Sequence, residues 1–248
     1  MTGLRSTILV ALLGPALLFG QATVPFVGCE SDGQIGPLEV PHEPARAVGL
    51  KKSQADRLAY YRGPGTFGVL GPRGWHCFYT YGSGGSTLGV RPEPFTYLQE
   101  EAGPVIAVEL SDGGTSGRFS VAEGVAQAFP LFRRFTEEVH EMFDFETFPS
   151  GPYKTDVLER KGATIVEYLS PARALGLGTP NDGLLRPGTD PISGVAILIG
   201  EWPQISLLNV VVRLPADRRS LAPAIIQQFE RETAKLPKPS PPAPRPNR

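Results

Sequence analysis

The groups best able to do chemistry crowd into Gly71-Pro72-Arg73-Gly74-Trp75-His76-Cys77-Phe78-Tyr79-Thr80-Tyr81: a guanidinium, an imidazole, a thiol and a run of aromatic rings. Side chains alternate along a strand. Trp75, Cys77, Tyr79 and Tyr81 would therefore share one face, and His76, Phe78 and Thr80 the other. Such a surface could stack a planar or carbohydrate ligand, and Arg73, Trp75, His76, Tyr79 and Tyr81 are its candidate binding residues. The competing expectation, favoured by the large area that aromatic rings bury, is a core packed around Cys77 with His76 nearby. Cys77 beside His76 has the composition of a thiol nucleophile and its base. Neighbours on a strand point to opposite faces, however, so the pair is poorly placed to share a proton.

Three further patterns fall short of a mechanism. His140-Glu141-Met142-Phe143-Asp144 approaches the zinc-protease pattern HExxH, and helical spacing would put His140 and Asp144 on one face, but an acid stands where the second histidine belongs. A solvated helix face, with Glu137 and Glu141 at the same spacing, explains it better. Tyr81-Gly82-Ser83-Gly84-Gly85-Ser86-Thr87 could cradle a phosphate, but no Lys-Ser/Thr follows and no helix opens there, so it reads as a hairpin turn. Ser111-Asp112-Gly113-Gly114-Thr115-Ser116-Gly117 is likewise loop-like, and neither stretch has the G-x-S-x-G nucleophile elbow. No catalytic residue, metal ligand or cofactor is assigned.

The elements that must position these groups are mixed. Lys51–Tyr61 reads as a short amphipathic helix stopped at Gly63-Pro64, after a turn-rich leader over Thr23–Pro44. Gly74–Tyr81 and Thr87–Val90 read as a β-hairpin with the five-residue loop Gly82–Ser86. Pro104–Leu110 is a strand. Val121–Phe143 is helical, broken or kinked at Pro130, which lacks an amide donor. Thr155–Arg160 and Thr164–Ser170 form a second hairpin, and Gly176–Pro191 a long loop. Gly194–Ile199 and Ile205–Leu214 are apolar strands. A final helix, capped by Asp217 or Ser220, carries Leu221, Ile225 and Phe229 on one face. This order, without a repeating βα alternation, predicts an α+β fold: largely antiparallel sheet or sheets with flanking helices and one disulfide. The expected organisation is a signal peptide over 1–22, a single domain over 23–235 whose halves could meet near 145–155, and a disordered proline-rich tail over 236–248.

Arg5 precedes the apolar run Ile8–Phe19, and Gly20-Gln21-Ala22 offers small residues at a cleavage site. That is the anatomy of a secretory signal peptide, too short for a membrane span, and predicts a mature chain starting at Thr23 without a transmembrane segment. Phe26-Val27-Gly28-Cys29 competes as a lipobox, but Leu is usual where Phe26 stands, and Pro25 with a polar stretch separates Cys29 from the apolar run. With Cys29 and Cys77 as its 2 cysteines and an oxidising destination, the chain is expected to join them. The formal net charge is −1, and cleavage makes it more negative by removing Arg5 and no acid. This balance argues against nucleic acid and against an anionic membrane surface.

The segments Pro25-Phe26-Val27-Gly28-Cys29-Glu30-Ser31-Asp32-Gly33-Gln34 and Gly71–Phe78, with Tyr81–Ser86 and Leu214–Glu232, resemble a family of uncharacterised exported bacterial proteins. The resemblance implies export and an association of Cys29 with the Cys77 segment, and brings no substrate or catalytic residue. The sequence therefore points to a secreted or periplasmic, non-enzymatic protein that binds an envelope or extracellular partner or a small ligand. Its rivals are a hydrolase of an envelope or extracellular polymer and a structural component lipid-anchored at Cys29. His76 close to a carboxylate and a serine would favour the hydrolase; His76 against the disulfide would favour binding.

Overall fold

The computed structural model describes residues 22–95, 102–143, 151–179 and 185–243; the apolar run of the leader and Asp144 lie outside them. The α+β expectation is met. Strands β1 (Ala22–Val24), β2 (Phe26–Gly28), β3 (Glu30–Gly33) and β4 (Arg46–Val48) precede helix α1 (Lys52–Ala55). Strands β5 (Leu58–Arg62), β6 (Val69–Pro72), β7 (His76–Gly82), β8 (Gly85–Arg91) and β9 (Val105–Ser111) follow. Helices α2 (Arg118–Ala128) and α3 (Arg133–Phe143) lead to β10 (Val157–Arg160), β11 (Ile165–Ser170), β12 (Ile192–Glu201) and β13 (Gln204–Arg213), and α4 (Ala222–Thr233) comes last.

The organising element is an 8-stranded sheet of order β10-β11-β12-β13-β9-β8-β7-β3, flanked by the 3-stranded sheet β2-β5-β6 and the pair β1-β4. It is antiparallel throughout except at its edge, where β3 runs parallel to β7. The meanders β7-β8-β9 and β10-β11-β12-β13 join side by side through β9 and β13, so both halves of the chain share one sheet.

Each face of that sheet carries its own core. Leu88, Val90, Ile106, Val108, Val210 and Val212 pack with α4, the smaller sheet, Trp75 and Tyr79. Val105, Ala107, Ala196, Leu198, Leu207 and Val211 pack with α2, α3 and Phe132. The strands β12 and β13 are apolar on both sides because both faces are covered. On α4, Leu221, Ile225 and Phe229 are buried as their spacing predicts. The break at Pro130 is a single turn of 3-10 helix between α2 and α3.

Several local expectations are corrected. Helix α1 stops at Ala55, and Leu58–Tyr61 is strand instead: these residues are buried on both sides of the small sheet, so their apolar pattern has no helical period to obey. The first hairpin turns through Ser83-Gly84 alone, since Gly82 and Gly85 remain paired in the ladder. The leader is partly ordered into short strands, and β3 is held beside β7 where Cys29 meets Cys77. A 3-10 turn leads into α4, so Leu221 occupies the cap position and neither Asp217 nor Ser220 caps with its side chain. The described part of the tail touches the body: the Gly200 amide donates to the Pro237 carbonyl (3.0 Å), Lys238 Nζ to the Thr233 carbonyl (3.2 Å), and Leu236 packs on the core.

Candidate functional site

The aromatic stripe that runs from Trp75 into β7 packs against the disulfide, the small sheet and the leader. Cys29 and Cys77 are bonded, with Cα atoms 5.3 Å apart. Trp75 and Tyr79 are buried, the Trp75 amide donates to Tyr61 Oη (3.1 Å), and Tyr79 stacks on Tyr81 with ring centroids 5.8 Å apart. Tyr81 Oη donates to the Gly36 carbonyl, tying the leader down. Burial pushes the Tyr61 phenol up to about 12, so it stays a neutral donor, to the Pro72 carbonyl (2.7 Å). Arg73 spends its guanidinium on the carbonyls of Leu58 (3.4 Å) and Ala55 (3.5 Å). His76 is exposed on the opposite face, paired in register with Arg91. Of the five candidate residues only Tyr81 borders the cavity between α2 and the main sheet; Arg73, Trp75, His76 and Tyr79 do not.

That cavity lies on the other face, over a polar row running across five strands. Asp32 pairs with Thr80, Thr80 with Thr87, Thr87 with Glu109, and Glu109 with Asn209. Aligned residues of neighbouring strands point the same way, so these side chains form a polar band on a face that is otherwise apolar. Helix α2 crosses above it. Ser120, Glu123, Gly124 and Gln127 recur at the helical spacing i, i+3, i+4, i+7 and all line the cavity, while Val121, Val125 and Ala128 pack into the core.

The rim joins the two glycine-serine loops. The Asp112 amide donates to the Gly84 carbonyl (3.0 Å), and the Ser83 and Ser116 hydroxyls lie 3.5 Å apart. Gly117, at the start of α2, comes so near that a Cβ there would sit 1.9 Å from the Gly84 carbonyl oxygen; only glycine allows this seam. The half-open space is about 460 Å³, the size of a small-molecule site.

Its floor is a connected polar chain. Tyr168 Oη donates to Asn209 Oδ1 (2.9 Å), and Asn209 Nδ2 donates to Glu109 Oε2 (3.5 Å). Tyr168 reaches Asn209 because Gly194 leaves room: a Cβ there would meet the Tyr168 ring at 2.2 Å. Burial raises the Glu109 carboxyl above the ordinary carboxylate value, and the long Asn209 bond offsets this only in part. Part of the Glu109 surface still opens onto the cavity, although protein surrounds the rest. The Tyr168 phenol is raised well above its usual value, first by burial and then by the Glu109 and Asp156 charges. On the wall, Tyr153 Oη donates to Glu123 Oε1 (3.4 Å). Gln127 is 6 % exposed, and its Oε1 has no hydrogen-bond partner among the described residues. Among the described lining residues two are acids and none is basic. Arg118 turns away, toward the Thr115 and Gly114 carbonyls.

The zinc pattern brings no ligand set together: no group of three or more His, Cys, Asp or Glu is placed to hold a metal among the described residues. His140 borders a separate cavity with Arg133, Glu137 and Glu141. No histidine lines the cavity under α2, so a serine–histidine pair has no place there among the described residues. No described helix is long and apolar enough to cross a membrane. Glu109, Asn209, Gln127 and Tyr168 escape a motif search because they belong to none. Their one signal is a polar side chain inside an apolar strand, as in Val105-Ile106-Ala107-Val108-Glu109-Leu110, where burial without a role is costly. No family model, curated protein or solved structure matches the chain.

Proposed function

We propose that this is an exported, non-enzymatic protein that holds a small polar ligand, or the polar end of an envelope or extracellular partner, in the cavity between α2 and the main sheet. The observation that carries this reading is the coincidence of two polar stripes, Thr80-Thr87-Glu109-Asn209 below and Ser120-Glu123-Gln127 above, around a space of about 460 Å³. Asn209 and Gln127 are buried beside this space, Thr80, Thr87, Glu109 and Glu123 are half-buried and Ser120 is exposed, so the polar groups are concentrated on a concave surface that a polar ligand could reach. Export is supported by the Arg5, Ile8–Phe19 and Gly20-Gln21-Ala22 pattern and by the Cys29–Cys77 bond, whose sulfur a lipid anchor at Cys29 would need.

The test is a thermal-shift screen of polyols, amino sugars and amines on the disulfide-intact protein. Ser120→Trp, which intrudes from the first turns of α2, should abolish any hit while leaving the unliganded melting temperature nearly unchanged. A hit that survives Ser120→Trp but is lost in Arg73→Ala or His76→Ala would put binding on β7 and overturn the reading. N-terminal sequencing of exported protein should find Thr23 first; a lipidated Cys29 would contradict the export route.

One observation favours a second reading, a hydrolase. Glu109 and Glu123 share the cavity in unlike environments, and a raised Glu109 is suited to donate a proton. Turnover of a labelled envelope polysaccharide that disappears in Glu109→Gln would favour it over binding alone.

A further inference from the structure

The cleavage site expected between Ala22 and Thr23 falls inside a paired strand. In the antiparallel pair of β1 with β4, Ala22 lies opposite Val48, Thr23 opposite Ala47 and Val24 opposite Arg46. Val24 and Val48 are buried, and Ala22 is half-buried against the same core. The chain beyond has no slack to lend. The Pro25 carbonyl accepts from the Tyr60 amide (2.9 Å), Phe26–Gly28 pairs in parallel with β5, and Cys29 is bonded to Cys77. The opposing strand is held from outside. Arg46 Nη2 lies 3.2 Å from Glu232 Oε2 on α4, and its guanidinium stands 4.2 Å from the Tyr60 ring centroid. Tyr60 Oη donates to the same carboxylate oxygen (2.6 Å). A peptidase that reads small residues before the scissile bond must take the chain as an unpaired, extended segment and enclose the Ala22 side chain itself. The folded chain instead gives that side chain to its own core and that backbone to β4.

We propose that the fold conceals its own processing site: the Ala22–Thr23 bond is cleavable only before β1 pairs with β4, and a precursor that folds first keeps its signal segment. Cleavage then leaves Thr23 and Val24 to complete the pair with β4. The inference rests on the export reading above and adds the conformational state in which processing occurs. Cleavage of a folded chain follows the fraction that is locally open. The experiment offers the full-length precursor, in detergent, to a purified signal peptidase, with N-terminal sequencing of the product. One sample is diluted from urea straight into the peptidase; the other is first refolded with its disulfide closed. The unfolded sample is expected to be cut before Thr23 about 10-fold or more faster than the folded one. Val48→Asp sets a charge opposite Ala22 without touching the segment that the peptidase reads, and should bring the folded precursor close to the unfolded rate. Arg46→Ala should give a smaller gain, with circular dichroism confirming that both variants fold. Equal rates for folded and unfolded wild type would overturn the concealed site while leaving export standing. Protection undiminished in the folded variants would also overturn it, since the β1–β4 pair would not be its cause. No cut before Thr23 in the unfolded precursor would overturn the export reading and this inference together.

Discussion

Along β7, alternate residues enter two different environments. Cys77 and Tyr79 join a disulfide-anchored aromatic core with Trp75 and α4, whereas Thr80 belongs to the polar row that runs from Asp32 to Glu109 and Asn209 under α2. The first face is filled by large rings and is close-packed; the second leaves about 460 Å³ open between small and polar side chains. The most conspicuous residue types in a sequence can thus serve stability, because rings and a disulfide contribute most where they are buried. The proposed ligand chemistry then falls to inconspicuous residues, serines, threonines and the carboxyls of Glu109 and Glu123, placed between α2 and the sheet.

The contrast can be broken hardest on the aromatic face. Trp75→Ala should cost about 3–5 kcal/mol, and replacing Cys29 and Cys77 together by serine about 2–5 kcal/mol, both read from denaturant unfolding. Neither should change ligand preference at the α2 cavity if the folded fraction is held constant; a selective loss of binding would show that the two faces are not independent. On the polar face, Gly194→Ala pushes a Cβ into the Tyr168 ring and should cost about 1–3 kcal/mol. It should also detach Tyr168 from Asn209, visible as faster exchange or a shifted resonance of the Asn209 side-chain amide.

A smaller effect is expected at the tail. Truncation before Pro237 removes the Gly200–Pro237 and Lys238–Thr233 bonds, a loss of about 1 kcal/mol by thermal melting. An unchanged melting temperature would mean that these contacts hold nothing. The subtlest change is in pH dependence. The folded-state pKa of Glu109 is raised, so its favourable contribution is complete below the ordinary carboxylate value and is lost as pH rises through the folded value. Glu109→Gln should therefore gain on the wild type as pH rises from about 4 toward 8. Parallel melting profiles across that range would contradict the buried, raised carboxyl.

Much of the frame is legible in the sequence. Ile205–Leu214 reads as a strand because both its faces are apolar, and Leu221, Ile225 and Phe229 because their spacing is helical. The α+β class and the cysteine pair follow from element order and cysteine count. The site is another matter. The Tyr81–Thr87 and Ser111–Gly117 loops each read as ordinary turns, and nothing local says that Gly84 and Gly117 meet. Glu109 and Asn209 become neighbours only through the β9–β13 pairing, a long-range event without a local code. The Ser120, Glu123, Gly124, Gln127 stripe is visible as a helical repeat, but polar residues at that spacing look like a solvated face until a sheet is placed beneath them. Lys51–Tyr61 fails for the converse reason, since burial on two sides erased the period that would have marked Leu58–Tyr61 as strand.

The proposed binding lies on the face under α2 rather than on the aromatic segment of β7. An amide chemical-shift map of the intact protein during titration with the strongest hit of the polyol, amino-sugar and amine screen tests it most directly. Saturable shifts clustered at Gly84, Gly117, Gly124 and Gln127 are expected, with the amides of Arg73, Trp75, His76 and Tyr79 unmoved. Shifts concentrated on Arg73–Tyr79, with the α2 and Gly84 amides silent, would contradict it.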